Sequence, residues 1–294
     1  MGEGRLGEGR LVEVADTKLF VEERGAAEAF PVMVLHGGPG IDHHMFGDYL
    51  DPLIADSRYR LIFVDERAQG RSDRSAEPHT WTIERMAGDI SDLARSLELP
   101  SYAVLGHSFG AFLALQHAVD FPGAAKATVI SAGVASARWL ARVEDELAAF
   151  EPIELREQVA SSWAREATAQ TEEETETILI DQWPFHFWDP QDPRIDDYRR
   201  RTAGARYAPD VLRQFATSDY GGIEVEDRLP TVSQPVLVLS GRHDRTCSVE
   251  AGEDMARRLP DAEFVVFEDS AHMFFVEEQD HYVTLVGDFI AKCL

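Results

Sequence analysis

Tyr102-Ala103-Val104-Leu105-Gly106-His107-Ser108-Phe109-Gly110-Ala111-Phe112 is an apolar run that passes through Gly-x-Ser-x-Gly and continues in helix-forming residues. The run reads as a buried strand, a sharp turn and a helix, the setting in which a serine is lifted to the tip of a turn. Such a turn strains the backbone at the serine and brings the helix close to the strand. The residues two places before and after must then be small, and Gly106 and Gly110 meet that need. The first N–H groups of the helix point at the space above Ser108, where developing negative charge is favoured.

Outward from this stretch, strands and helices alternate. Leu11 to Ala15 and Lys18 to Glu23 straddle Asp16-Thr17 and read as a hairpin at a sheet edge. Pro31 to Leu35, Leu61 to Val64, Lys126 to Ile130, Pro235 to Leu239 and Glu263 to Phe267 are short apolar runs, as expected of strands covered on both faces. Helices are expected over part of Met45 to Ala55, over Ile83 to Leu97 with Thr82 as its cap, over Ala251 to Leu259, and from Tyr282 to Ile290. Between about 138 and 228 the chain turns rich in Glu, Ala and Arg and shows no strand pattern. The acidic run Thr171 to Thr177 reads as a solvated helix face or loop. The fold class is therefore α/β: a mostly parallel central sheet with helices on both faces and a helical cap inserted. Residues 1–137 and 229–294 form the core, and 138–228 the cap.

In such a sheet ligands gather at the carboxyl ends of the strands. Ser108 follows one strand, Asp244 in Ser240-Gly241-Arg242-His243-Asp244 a later one, and His272 the last. A serine hydroxyl is a poor nucleophile at neutral pH, so an imidazole must take its proton and return it to the leaving group. A buried carboxylate fixes the tautomer of that imidazole and stabilises its charged form. The oxyanion of the intermediate needs two N–H donors. Phe109 supplies one, and Gly38 in His36-Gly37-Gly38-Pro39-Gly40 supplies the other, with Gly37 beside it at the substrate.

Composition narrows the partners. The chain has 294 residues, 44% of them hydrophobic, and a formal net charge of -25. That charge repels nucleic acid and anionic membranes, so neither is expected as a partner. No apolar run reaches the roughly 18 residues of a membrane helix. Met1 to Arg5 lacks a secretory pattern, and Cys247 and Cys293 stand far apart, so two free thiols in a reducing cytoplasm are expected. No metal or other cofactor is expected. His43 and His44 are adjacent, and adjacent histidines are not expected to converge on one ion.

Taken together, these residues resemble the α/β-hydrolase superfamily, whose triad runs in the order Ser, Asp, His. His36-Gly37-Gly38-Pro39-Gly40 narrows the likeness to its proline iminopeptidase-like branch. Asp65-x-Arg67-x-x-Gly70-x-Ser72 and Gly241-x-x-Asp244 are similar to two further stretches of that branch. The likeness covers nearly the whole chain and is weak across 138–228. It implies a serine hydrolase that takes a small-molecule or short-peptide substrate, a small amide or ester, and works through an acyl-enzyme.

Two departures bear on substrate. Ala68 and Glu66 stand where the family commonly has glycine and glutamine. Family members that cleave an N-terminal proline hold its ammonium with acidic residues. Arg245 and Gln214 occupy the corresponding positions here, with Glu144, Glu151 and Asp219 as other cap acids. Arg245 is expected to repel an ammonium at short range. Amide cleavage at a free amine and ester or lactone cleavage without one both stay open, while a non-catalytic binding module fits poorly with an unbroken triad. In Trp183-Pro184-Phe185-His186-Phe187-Trp188, Trp183 and Phe185 either line the pocket or form the core of the cap. His107 faces the helix–sheet contact or the pocket entrance.

Overall fold

The computed structural model describes residues 9–294. The stretch Met1 to Arg5, read above for a targeting signal, lies outside them. Eight strands make one sheet: β1 (Arg10–Val14), β2 (Thr17–Gly25), β3 (Phe30–Leu35), β4 (Tyr59–Asp65), β5 (Ala103–His107), β6 (Ala127–Ser131), β7 (Val236–Gly241) and β8 (Ala262–Phe267). Their spatial order is β1-β2-β4-β3-β5-β6-β7-β8, antiparallel at β1–β2 and β2–β4 and parallel elsewhere. Every residue of β5, β6 and β7 is buried, as a strand covered on both faces requires. Edge strand β1 alternates buried and exposed residues toward its end.

Between β4 and β6 lie α1 (Ile83–Ser96) and α2 (Phe109–Asp120), which pack on each other. Thr82 caps α1 by accepting the N–H of Arg85. The expected helix within 45–55 is instead two short 3-10 turns, His43–Phe46 and Asp51–Ile54. Gly47, at φ 48°, ends the first, and Pro52, with no N–H to donate, sits in the second.

Between β6 and β7 the described chain forms no strand, only short 3-10 turns and five helices, α3 (Val143–Ala149), α4 (Ile153–Glu166), α5 (Glu172–His186), α6 (Arg194–Arg201) and α7 (Pro209–Ala216). The acidic run begins α5, where Thr171 and Glu174 form a reciprocal capping box. Val143, Phe150, Val159 and Phe185 make a small core of their own there. A lone bridge between Ser136 and Glu224 ties the two ends of this segment together. On that basis we infer a cap over 138–228. After β7 come α8 (Val249–Arg258), α9 (Phe274–Glu277) and α10 (Gln279–Lys292).

The crossing of α2 over the sheet leaves no space. A Cβ on Gly106 would stand 2.1 Å from the Gly110 carbonyl oxygen, and one on Gly110 would stand 2.4 Å from that of Leu35. Both obstacles are backbone, so α2 must shift to admit a methyl. Gly110→Ala is therefore expected to lower the thermal midpoint by about 5 °C or more, from overpacking and the size of the domain. An unchanged midpoint in a calorimetric scan would show that the crossing is looser than described.

Candidate active site

Ser108 stands at the junction of β5 and α2 with φ 55° and ψ −118°, a conformation L-residues rarely adopt. Its carbonyl accepts the N–H groups of Ala111 and Phe112, and its own N–H bonds to Ser131. Phe109 is the first residue of α2, so its N–H has no preceding turn to take it. In the loop after β3, Gly37 donates to the Met45 sulfur and Gly40 to Gln69 Oε1, while the Gly38 N–H finds no partner among the described residues. Two side chains brace this loop. His36 reaches the Gly37 carbonyl with Nδ1 (2.8 Å) and Glu66 with Nε2 (3.0 Å), and Gln69 donates to the same Glu66 carboxyl (3.0 Å).

Asp244 and His272 meet at 2.8 Å, Oδ2 to Nδ1. The other carboxylate oxygen accepts the N–H and hydroxyl of Thr246 (both 2.8 Å) and the N–H of Cys247 (3.0 Å). Burial opposes charge on Asp244, but His272 and these donors outweigh it and hold the carboxyl down at about 2. Nδ1 of His272 is thereby committed as donor, leaving Nε2 as the acceptor. His272 is flanked by two rings, His107 at 5.0 Å and His186 at 4.9 Å. Burial keeps both neutral, pushing His107 well below the usual imidazole range and His186 to about 3.

Ser108 and His272 open onto one cavity of about 870 Å³, whose wall also holds Gly38 and Phe109. From the cap come Leu140, Val143, Leu147, Leu179 and Trp183, so the wall is largely apolar. Its polar part is Glu166, Gln182, Tyr220 and His186, with Glu144 and Arg156 as further charged groups. Glu166 accepts from Gln182 Nε2 (2.5 Å) and from the Tyr220 hydroxyl. Burial raises its carboxyl to about 7 against the pull of those two bonds.

Several expected pocket residues stand elsewhere. Phe185 is fully buried in the small cap core against Phe150 and Trp163, so of the pair Trp183 and Phe185 only Trp183 reaches the cavity. Arg245 does not line the cavity; its guanidinium is taken by the carbonyls of Phe185, Phe187 and Trp188. His107 is wholly buried, with Nδ1 on Ser131 Oγ at 2.9 Å, on the helix–sheet side. Gly37 abuts Ser108, where an added Cβ would meet the serine Cβ at 3.1 Å, but it is not part of the wall. Gln214 donates to the carbonyls of Pro78 and Trp81. Among the cap acids considered, Glu144 faces the cavity, Glu151 pairs with Arg156, and Asp219 is not part of the wall.

Two clusters have donor atoms within 4.8 Å of one another, as a metal ion would need: Asp42, His43 and His44, and Asp244, Cys247 and His272. The expectation that the adjacent histidines do not converge is thus corrected. The donors of the first cluster are already engaged, His43 Nδ1 by Asp65 at 2.5 Å, Asp42 by Arg71 at 2.9 Å and His44 Nδ1 by the same Arg71 at 3.1 Å. In the second cluster burial pushes the Cys247 thiol well up, which opposes the thiolate a metal prefers. Glu166, Gln182 and Tyr220 carried no sequence signal, because only the packing of α4 against α5 and the turn at 219–221 brings them together. No described helix is long and apolar enough to cross a membrane.

A mostly parallel α/β sheet with a serine at a strand-to-helix turn and an Asp–His pair at later strand ends defines a hydrolase of the α/β type. Residues 31–279 match the family model described as "alpha/beta hydrolase fold", and the chain belongs to that family. It is a hydrolase. Its sequence is similar to the proline iminopeptidase of Heyndrickxia coagulans, 27% identical over 88% of this chain and 90% of that one. The proline iminopeptidase of Lactiplantibacillus plantarum is 26% identical over 89% and 92%. Among solved structures it is similar to the proline iminopeptidase of Mycobacterium smegmatis (TM-score 0.75, 24% identity, 97% and 98% covered). The esterase of Exiguobacterium antarcticum shares the fold equally well (TM-score 0.75, 22% identity, 97% and 100% covered).

The depressed Asp244 carboxyl has a consequence for stability. A folded-state value of about 2, below the unfolded value of 3.8, means that its contribution is present above pH 3.8 and lost as pH falls through 2. In urea melts the advantage of the wild type over Asp244→Asn should hold from pH 7 to about 4 and shrink below it. A constant difference down to pH 2 would mean that the carboxylate is not stabilised in the fold.

Proposed function

We propose that the chain is a serine hydrolase in which Ser108 attacks the carbonyl of a small amide or ester. His272 Nε2 takes the serine proton as the tetrahedral intermediate forms, and Asp244 stabilises the resulting imidazolium through Nδ1. The N–H groups of Phe109 and Gly38 receive the oxyanion, aided by the N-terminus of α2. Collapse of the intermediate passes the proton from His272 to the leaving amine or alcohol and leaves an acyl-serine. Water, deprotonated by the same imidazole, then releases the acid. The observation that carries this reading is the Asp244–His272 pair at the rim of the cavity that also bears Ser108.

The cavity supports an apolar acyl group larger than a prolyl residue. A proline iminopeptidase-like specificity is supported by the curated relatives, with Glu144 and Glu166 as the carboxyls that face a bound amine. A carboxylesterase or lactonase reading, without need of a free amine, is favoured by the placement of Arg245 and Gln214. Both side chains are spent on backbone carbonyls outside the cavity.

Prolyl arylamides assayed beside p-nitrophenyl esters of short and bulky acids separate these readings. Negligible arylamide turnover beside rapid ester turnover would discard the peptidase reading. Ser108→Ala is expected to cut kcat by at least about 10³-fold on every substrate, with the fold unchanged by circular dichroism. Activity near wild type in that variant would discard the mechanism.

A further inference from the structure

Three sets of bonds converge on residues 185–188, the last residues of α5 and the turn that follows. Arg245, directly after Asp244, donates Nη1 to the carbonyls of Phe185 and Phe187 (2.8 Å each) and Nη2 to that of Trp188 (3.2 Å). Glu277 in α9 accepts the Trp188 N–H at Oε1 (2.8 Å) and the Ala271 N–H at Oε2 (2.9 Å). The His186 carbonyl accepts the N–H groups of His272 (3.0 Å) and Met273 (3.3 Å). A stack adds to these: the Trp188 ring lies 4.7 Å from that of His243, nearly parallel at 8°.

The physics of a helix end explains the pattern. The final carbonyls of a helix have no N–H ahead of them, and they form the negative pole of its dipole. At α5 those carbonyls are not left to water. A guanidinium takes Phe185, and the backbone of the loop carrying His272 takes His186. Both neighbours of Asp244, His243 and Arg245, therefore grip the cap, and the residues 271–273 are bonded to the cap and to Glu277 at once.

We propose that Arg245 and Glu277 form a latch that holds the cap segment 185–188 against the loop bearing His272, and so position its imidazole for Ser108. This rests on the triad reading above. Arg245 and Glu277 are positioning residues: neither lines the cavity, and each acts through backbone that His272 shares. The cap cannot lift at this end without dragging the catalytic loop along.

Steady-state kinetics on a p-nitrophenyl ester test the latch in Arg245→Met, Arg245→Lys and Glu277→Gln, the last two being mild enough to keep the fold. A shift of the imidazole by an ångström is expected to lower kcat by about ten- to a hundredfold in Arg245→Met. KM should stay within about twofold, since uniform substrate binding is untouched. Arg245→Lys should recover part of the loss, because an ammonium reaches one carbonyl but not three. Glu277→Gln, which keeps one acceptor of two, should fall between them and move the acid limb of the kcat/KM profile. Unchanged kcat and pH profile with a lowered thermal midpoint would reduce the latch to a structural tie and overturn the proposal. A raised KM at constant kcat would overturn it too, by placing Arg245 on substrate. Ser108→Ala separates the two failures: if it keeps wild-type activity, the triad reading falls first, whatever the latch variants do.

Discussion

The active site depends on a backbone-to-backbone approach in which α2 crosses the sheet with no space for a methyl group. Because Gly106 faces the Gly110 carbonyl and Gly110 faces those of Leu35 and His36, the chain must reverse within one residue, and that residue is Ser108. Its φ of 55° follows from the crossing rather than from any preference of serine. The same geometry puts Phe109, whose N–H has no preceding helical turn to take it, on the cavity wall beside the loop after β3. Strain at Ser108 and the placement of the proposed nucleophile and oxyanion donors are one constraint expressed three ways.

Burying a carboxylate among apolar strand ends is costly unless every lone pair is met. Asp244 meets that condition with His272, Thr246 and Cys247, and it gains from the charge His272 acquires in the proposed cycle. The two histidines packed on His272 cannot take that charge themselves, since burial keeps His107 and His186 neutral. In the proposed cycle a proton taken from Ser108 would therefore stay on the ring that can return it. Two neutral rings on either side also restrict rotation of His272, which is useful for a base that must serve two steps.

What could be read in advance was whatever has a local cause. The buried strands, the Thr82 cap and the order of Ser108, Asp244 and His272 are written in runs of neighbouring residues. Ala68, noted as standing where relatives favour glycine, has φ 60°, a backbone reason visible only as an oddity in the sequence. The helix expected within 45–55 fails because apolar spacing was weighed above the breaks at Gly47 and Pro52. Phe185 and Trp183, two residues apart on α5, point to different places, one into the cap core and one into the cavity. Only the packing of α3, α4 and α5 decides which. Glu166 and Glu277 look like any surface acid in a chain with this net charge, yet both are buried by contacts distant in sequence.

Arg245 illustrates how far a charge can be misjudged from its position alone. As a formal cation beside Asp244 it reads as an obstacle to a substrate ammonium. In the fold its guanidinium is turned onto three carbonyl oxygens whose dipoles oppose its field, and it contributes nothing to the cavity wall. The electrostatic choice then passes to the groups that do face the cavity. Arg156 is held by the Phe150 carbonyl and Glu151. Among the described residues Glu166 is held only by neutral donors, with no cation to match it, so its charge is governed by burial and by whatever enters. An amine would keep that carboxyl ionised, whereas an uncharged acyl group would favour its protonated form. In the proposed reading, substrate preference would thus turn on the acids that face the cavity, the buried Glu166 above all, and not on the arginine that the sequence places next to Asp244.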